Sequence, residues 1–132
     1  MILLDTNAWL WWTIRPEALP ERARSLADAA AADNSLAVSV VSVWEIAVKT
    51  AIGKLDLGMA AREWVARASR APGLRIVPLD SDIALASAEL PPPFHRDPAD
   101  RLIVALARRL RAPLLTADRK ILDYPHVDAR WH

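Results

Sequence analysis

The sequence contains no cysteine and only three glycines, and no apolar run approaches the length that would cross a bilayer. Without cysteine the chain forms neither disulfides nor thiolate zinc sites, and it has no thiol nucleophile. The three scattered glycines cannot build a phosphate-binding glycine loop or a dinucleotide-binding fingerprint. The first residues also lack the basic segment of a secretory signal. We therefore expect a cytoplasmic protein that does not bind membranes.

An excess of charge of either sign is also missing. The chain has 17 basic and 16 acidic residues, which leaves a formal net charge of +1. The protein is therefore not a polycation that binds nucleic acid through bulk charge, and any phosphate-binding surface has to be local. A length of 132 residues, 53% of them hydrophobic, predicts a single domain, residues 1–132, with a substantial core.

Short apolar segments alternate with helical segments along the chain. The predicted strands are residues 1–4, 36–39, 74–77 and 113–116, and a short edge strand begins near Val127. The predicted helices are residues 8–14, 20–32, 40–52, 60–71, 81–90, 99–111 and 119–122. This alternation predicts a three-layer α/β/α fold with a mainly parallel central sheet of four to five strands.

Four acidic residues stand where such a fold places ligand sites. Asp5 follows the first apolar run directly, and Asp118 follows the fourth predicted strand. Asp100 heads a helical stripe that continues through Ile103, while Glu45 shares a stripe with Val41, Val48 and Ile52. Each acid has a structural alternative at the start of a helix: Asp5, Asp118 and Asp97 fit N-caps, and Ser42 with Glu45 fits a capping box.

Four carboxylates that meet at one end of a sheet would repel one another, which raises their pKa values or requires a counter-ion. The counter-ion suited to an all-oxygen site is Mg²⁺ or Mn²⁺. Thr6 and Thr116 place hydroxyl groups beside the acids, either to support a ligand or to make local turn hydrogen bonds. Such a site could activate water for phosphodiester hydrolysis with one ion or two.

Other candidates are less specific. A further cluster forms either a basic rim or a solvated helix end: Arg108, Arg109, Arg111, Arg119 and Lys120. The neighbouring residues Trp11 and Trp12 cannot both lie on one buried stripe, so one of them packs against another chain or against its own loop. Lys49 is four residues after Glu45 and is predicted to pair with it. Arg101 either faces phosphate or is solvated, and His95 has no metal-ligand spacing to the other histidines.

Four motifs in order resemble those of PIN-domain ribonucleases, and more narrowly those of VapC-type toxins of bacterial toxin–antitoxin pairs. They are LLDTN at residues 3–7, SVVSVWEIAVK at 39–49, HRDPADRLIVA at 95–105 and LLTAD at 114–118. By matching position, the resemblance implies that Asp5, Glu45, Asp100 and Asp118 bind a divalent metal ion, with Thr116 in support. It also implies RNA as substrate, a VapB-type antitoxin that covers the site, and a homodimer. Asn7 and Ala99 depart from the residues that are common in the nearest relatives.

Two other functions remain open from the residues alone. A phosphotransfer enzyme or phosphatase would use Asp5 as acceptor, although such phosphatases usually have a second Asp where this chain has Asn7. A non-catalytic PIN-like module would bind RNA or a partner without cleaving anything. The presence of all four acids argues against lost catalysis, so a Mg²⁺- or Mn²⁺-dependent endoribonuclease is the preferred hypothesis.

Overall fold

The computed structural model describes all 132 residues and contains five strands and seven helices. The strands are β1 (Ile2–Leu4), β2 (Leu36–Ser39), β3 (Leu74–Val77), β4 (Leu114–Leu115) and β5 (Ala129–Arg130). The helices are α1 (Thr6–Ile14), α2 (Glu21–Ala32), α3 (Val40–Ala51), α4 (Ala61–Ala68), α5 (Ser81–Ala88), α6 (Pro98–Leu110) and α7 (Arg119–Leu122). Every predicted element is present, although β4 is shorter than predicted and β5 begins at Ala129 instead of Val127.

All five strands are parallel, in the order β3-β2-β1-β4-β5. The chain moves outward from β1 to β3 on one side and then crosses to β4 on the other side of β1. The order therefore reverses between β1 and β4. In open α/β sheets the crevice at the carboxyl ends of the strands beside such a reversal is the usual ligand site. Asp5 and Thr116 follow those two strands.

Both faces of the sheet are covered, as the predicted three-layer architecture requires. Ile2 and Leu4 belong to a core cluster that includes buried residues of α1 and α2, whereas Leu3 belongs to a second cluster that includes Ile103 of α6. Alternate residues of β1 thus face opposite layers, which is why the first strand is apolar at every position. No helix combines the length and the hydrophobicity needed to cross a membrane.

The tryptophans mostly pack inside the chain. Trp9 is fully buried and meets Trp64 edge to face at 5.1 Å between ring centroids. Trp11 lies 5.6 Å from Trp131, and the Trp12 indole N–H donates to Asp28 Oδ1 at 2.9 Å. Trp11 and Trp12 are each half-buried against their own chain, which favours the second of the two interpretations given above. Trp44 on α3 is the exposed tryptophan, at 58%.

Candidate functional site

Asp5 lies at the centre of the candidate site. Its backbone N–H donates to the Leu115 carbonyl at 3.1 Å, which fixes the end of β1 against β4. Its carboxylate accepts the Ala8 N–H at 2.8 Å through Oδ1 and a hydrogen bond from the Thr116 side chain. Asp5 is therefore the N-cap of α1, as the structural alternative predicted. Only 8% of the residue is exposed, so this carboxylate is held rigidly at the bottom of the crevice.

Thr116 and Asp118 approach Asp5 from β4. Thr116 is fully buried, and its Oγ1 accepts the Asp118 N–H at 3.0 Å. Asp118 in turn caps α7 by accepting the Lys120 N–H at 2.8 Å. The hydroxyl of Thr116 thus connects two of the predicted site acids, through its bond to the Asp5 carboxylate and its bond to the Asp118 backbone.

Glu45 comes from the second turn of α3 and is held by hydroxyl groups. Oε1 lies 2.5 Å from the Thr6 hydroxyl, which also lies 2.9 Å from Ser42 Oγ. Because the Thr6 hydroxyl has one proton, it donates to the carboxylate and leaves Ser42 to donate to it. Lys49 Nζ is 3.8 Å from Oε2, which is the predicted i,i+4 pair.

Two sequence arguments about Glu45 are wrong. The N-cap of α3 is Ser39, whose hydroxyl accepts the Val41 N–H at 3.0 Å, so Ser42 and Glu45 do not form a capping box. The second argument assumed that Glu45 lies on a buried stripe with Val41, Val48 and Ile52. Val41 is buried, but Val48 and Ile52 are 36% and 59% exposed. Glu45 lies at the border of the buried face, where tertiary contacts to Thr6 cover it.

Asp100 is presented by the first turn of α6. Asp97 caps this helix by accepting the Asp100 N–H at 3.1 Å, and Pro98 occupies the first turn. The Asp100 side chain is 21% exposed, and its Oδ2 lies 3.2 Å from Nε2 of His95. The buried neighbours Ile103 and Ala107 on the same stripe direct Asp100 toward the sheet, as predicted.

The pKa values of Asp5 and Asp100 respond to the charges of other candidate acids. Burial raises the pKa of Asp5 to about 6, against the opposing hydrogen bonds from Thr116 and Ala8, and the charges of Glu45 and Asp118 add to the rise. Burial also raises the pKa of Asp100 to about 7, and the charges of Asp97 and the other three site acids add to that rise. Desolvation is the largest single cause in both cases, whereas the sequence argument had stressed repulsion between the acids.

The side chains do not, as placed, surround a single ion. No three acidic or histidine side chains lie close enough together to hold a metal. Glu45 is engaged by Thr6 and Lys49, while Asp118 accepts the backbone N–H of its own helix. The chemistry of the donor set nevertheless fits a divalent cation, since the site offers carboxylate and hydroxyl oxygens from four separate elements and no sulfur.

Neither interpretation of Arg101 was correct, and the basic rim is largely paired. Arg101 donates to the carbonyls of Ser87, Phe94 and His95, so it faces backbone instead of phosphate or solvent. The proposed rim residues mostly have partners of their own: Arg109 binds Asp80, Arg108 donates to the His126 carbonyl, and Arg119 lies 3.8 Å from Asp123.

Sequence reasoning underrated two residues that contact the site acids. Ser42 was considered only as a helix cap, yet it is fully buried beside Thr6. His95 was considered only for metal-ligand spacing to the other histidines, yet its Nε2 lies 3.2 Å from Asp100 Oδ2. Ser42 lies three residues before Glu45 and so on the same face of α3, a signal that was available. The contact between His95 and Asp100 depends on the conformation of a loop, and a periodic hydrophobic pattern does not predict loop conformation.

Sequence comparison places this arrangement among known proteins. The model of the PIN domain family matches residues 2–127. The chain is also similar to Ribonuclease VapC22 of Mycobacterium tuberculosis, with 30% identity over 125 residues, which cover 95% of this chain and 92% of that protein.

Structural comparison finds the same architecture. A toxin–antitoxin complex from Klebsiella pneumoniae contains a chain with a TM-score of 0.61 and 20% identity, and the match covers 96% of this chain and 95% of that one. The crystal structure of VapBC2 from Rickettsia felis, bound to a DNA fragment from its promoter, matches with a TM-score of 0.71 and 18% identity over 100% of both chains. At these identities the likeness concerns the fold alone, and it agrees with the predicted three-layer architecture.

Proposed function

The chain belongs to the PIN domain family, and on this premise we propose that it is a VapC-type endoribonuclease that hydrolyses RNA phosphodiester bonds with the aid of Mg²⁺ or Mn²⁺. The observation that carries the proposal is the shared electrostatic environment of Asp5, Glu45, Asp100 and Asp118 at the point where the strand order reverses. A bound cation would offset the cost of burying these charges together. The wholly carboxylate character of the site selects a hard divalent ion.

Each acid has a role that follows from how it is held. Asp5 is rigid and buried, and we assign it the central position in the metal-binding set. Asp100 approaches from α6 and Glu45 from α3, so that three elements contribute to the ion's surroundings. Asp118, which is the acid on the β4 side, would complete the set. Together these residues would hold a divalent ion at the carboxyl ends of β1 and β4, where it could contact the phosphate of a bound RNA.

The hydroxyl groups orient the carboxylates. Thr6 binds one oxygen of Glu45, and Thr116 binds Asp5, so that each carboxylate keeps a defined direction. A divalent ion held there would lower the pKa of bound water and balance charge on the phosphate. The site contains no side chain placed as a nucleophile of its own.

The proposal is tested by isosteric removal of charge. We expect Asp5→Asn and Asp100→Asn each to lower the rate of cleavage of single-stranded RNA in Mg²⁺ or Mn²⁺ by on the order of 100-fold or more. The matched control is Asp33→Asn, because Asp33 is an exposed acid between α2 and β2, toward the amino ends of the strands and opposite to the site. Undiminished cleavage by either site variant would reject the assignment. RNA binding without cleavage by the unaltered protein would favour the non-catalytic module.

We propose further that a VapB-type antitoxin covers this site in the cell cytoplasm. The solved structures that resemble the chain along nearly its whole length come from two-component complexes, as their names state. A groove of about 420 Å³ beside α1 is lined mainly by apolar side chains, among them Trp12, Ile14, Met59 and Trp64. Exposed Ile14 and Met59 give this groove the apolar character that an amphipathic partner segment needs.

We also propose a homodimer that forms through the exposed face of α3. Trp44, Val48 and Ile52 lie at successive i,i+4 positions and are 58%, 36% and 59% exposed, and we call them the α3 ridge. Ala47 and Ala51 lie exposed on one side of this ridge, and Glu45 and Lys49 on the other side pair with each other, so the ridge has no unpaired charge that would repel its own copy. A self-complementary apolar surface of this kind suits a two-fold symmetric interface.

A further inference from the structure

His95 lies against Asp100 in a manner that its sequence position did not predict. Its Nε2 atom is buried and has no aligned hydrogen-bond partner, and Asp100 Oδ2 lies 3.2 Å from it. This distance is within hydrogen-bonding range, so a small rotation of the ring or of the carboxylate aligns the bond. Hydrogen bonds at active sites are commonly misaligned in the free protein and tighten when the site is loaded.

Three sets of contacts hold the loop that contains His95 in place. Arg101, the residue after Asp100, donates to the carbonyls of Phe94 and His95 and also to Ser87 at the end of α5. The Phe94 ring meets the His95 ring edge to face at 4.5 Å and lies 4.3 Å from the Tyr124 ring. The Tyr124 hydroxyl donates to the Pro91 carbonyl at 2.6 Å, which closes the loop. The imidazole is therefore held in one place, and that place is beside the Asp100 carboxylate.

We propose that His95 is a positioning residue for Asp100: its Nε2–H donates to Oδ2 and holds the carboxylate in the orientation that the metal site uses. This inference rests on the proposed role of Asp100. The chemistry is that of a buried donor supporting a metal-binding carboxylate, and such supporting groups affect metal affinity as well as activity. The role requires a donor at Nε2 and does not require the ring itself.

Two substitutions separate the donor from the ring. His95→Phe keeps a ring of similar size against Phe94 but removes the N–H, whereas His95→Gln places an amide N–H near the position of Nε2. The matched control is His126→Phe, since His126 lies on the far side of Tyr124, 5.3 Å away between ring centroids. The measurements, made on the full chain, are the dissociation constant of Mn²⁺ by titration calorimetry and the rate of RNA cleavage.

We expect His95→Phe to raise the Mn²⁺ dissociation constant by about 10-fold or more and to lower cleavage by a similar factor. His95→Gln should recover both quantities to within about threefold of the unaltered protein, and His126→Phe should match the unaltered protein. Recovery of both quantities in His95→Gln would show that the donated hydrogen bond matters, and not only the packing of the ring. An unchanged Mn²⁺ constant in His95→Phe, or an equal loss in both His95 variants, would overturn the proposal.

A spectroscopic readout keeps the test independent of cleavage. Long-range ¹H–¹⁵N spectra of the unaltered protein should show a proton on Nε2 of the His95 ring, and an Nε2 without a proton would overturn the inference. If the unaltered protein binds Mn²⁺ but cleaves no RNA, the proposed function fails while the Mn²⁺ constants and the tautomer still decide the role of His95. If His95 proves dispensable in a protein that cleaves RNA, the inference alone fails.

Discussion

The candidate site acids of this protein combine structural contacts with a shared electrostatic environment. Asp5 and Asp118 cap helices, as their sequence positions suggested, and the same side chains share one electrostatic environment with Glu45 and Asp100. The structural and functional interpretations of an acid at a helix start are therefore not exclusive. A cap uses one carboxylate oxygen and leaves the second available, while the helix N-terminus favours the negative charge.

Asp100 should make the stability of the ion-free protein depend on pH. Its pKa rises from 3.8 to about 7 on folding, so between these values the folded protein keeps a proton that the unfolded chain has lost. The free energy of unfolding contributed by this group is fully present below about pH 4 and is lost as the pH rises to about 7. Asp100→Asn removes the titration, so we expect it to stabilise the protein by about 2 to 4 kcal/mol at pH 8 in chelator and by little at pH 4.

Urea denaturation in chelator at both pH values measures this effect. The exposed Asp33→Asn variant is the control and should change the free energy of unfolding by less than about 0.5 kcal/mol at either pH. A destabilised Asp100→Asn protein at pH 8 would contradict the assigned environment of Asp100. The opposite effects of this one substitution on stability and on cleavage would be typical of a functional residue whose burial is costly.

At the scale of elements, the contact between the end of α2 and the start of β3 requires glycine at position 73. Gly73 begins the approach to β3 with a φ of +82°, and a Cβ atom there would lie 1.7 Å from the Ala31 carbonyl oxygen at the end of α2. Its own carbonyl accepts the Leu36 N–H at 3.2 Å. Strand β3, helix α2 and strand β2 meet at this point, so none can move without disturbing the others.

We therefore expect Gly73→Ala to lower the free energy of unfolding by about 3 kcal/mol or more, because the methyl group clashes with backbone and the φ angle is unfavourable. Gly53→Ala is the matched control: its φ is +75°, but a Cβ there meets nothing within 4 Å. That control should cost only about 1 to 2 kcal/mol, the strain of the left-handed conformation. Denaturant unfolding measures both variants. An equal loss in the free energy of unfolding would contradict the predicted clash at residue 73.

At the scale of the whole molecule, the strand order brings the candidate site together, and the helices leave the α3 ridge uncovered. The reversal between β1 and β4 opens the crevice that Asp5 and Thr116 line. The α3 ridge lies on the outside of the same helix that supplies Glu45. One side of α3 therefore faces the acids, while another side faces away from the chain's own core.

The proposed homodimer predicts that charge on the α3 ridge separates the copies. We expect Trp44→Glu to convert a dimer to a monomer in sedimentation velocity experiments without antitoxin, because an aromatic anchor is lost and two charges meet across the two-fold axis. Ile14→Glu is the control, since Ile14 is exposed to a similar degree, at 57%, but belongs to α1. A dimer that survives Trp44→Glu and dissociates in Ile14→Glu would place the interface elsewhere.

The sequence by itself determined the elements and their order along the chain and indicated the candidate acids, because hydrophobic periodicity and helix-start chemistry are local properties. The segments 36–39, 74–77 and 119–122 were predicted to the residue, and the chain's motifs indicated its family. Only the tertiary structure decided which groups meet across long separations: Thr6 with Glu45, Thr116 with Asp5, and His95 with Asp100. It also decided that Val48 and Ile52 stay exposed. Periodicity identifies an apolar face, but whether another element covers that face depends on how the layers pack.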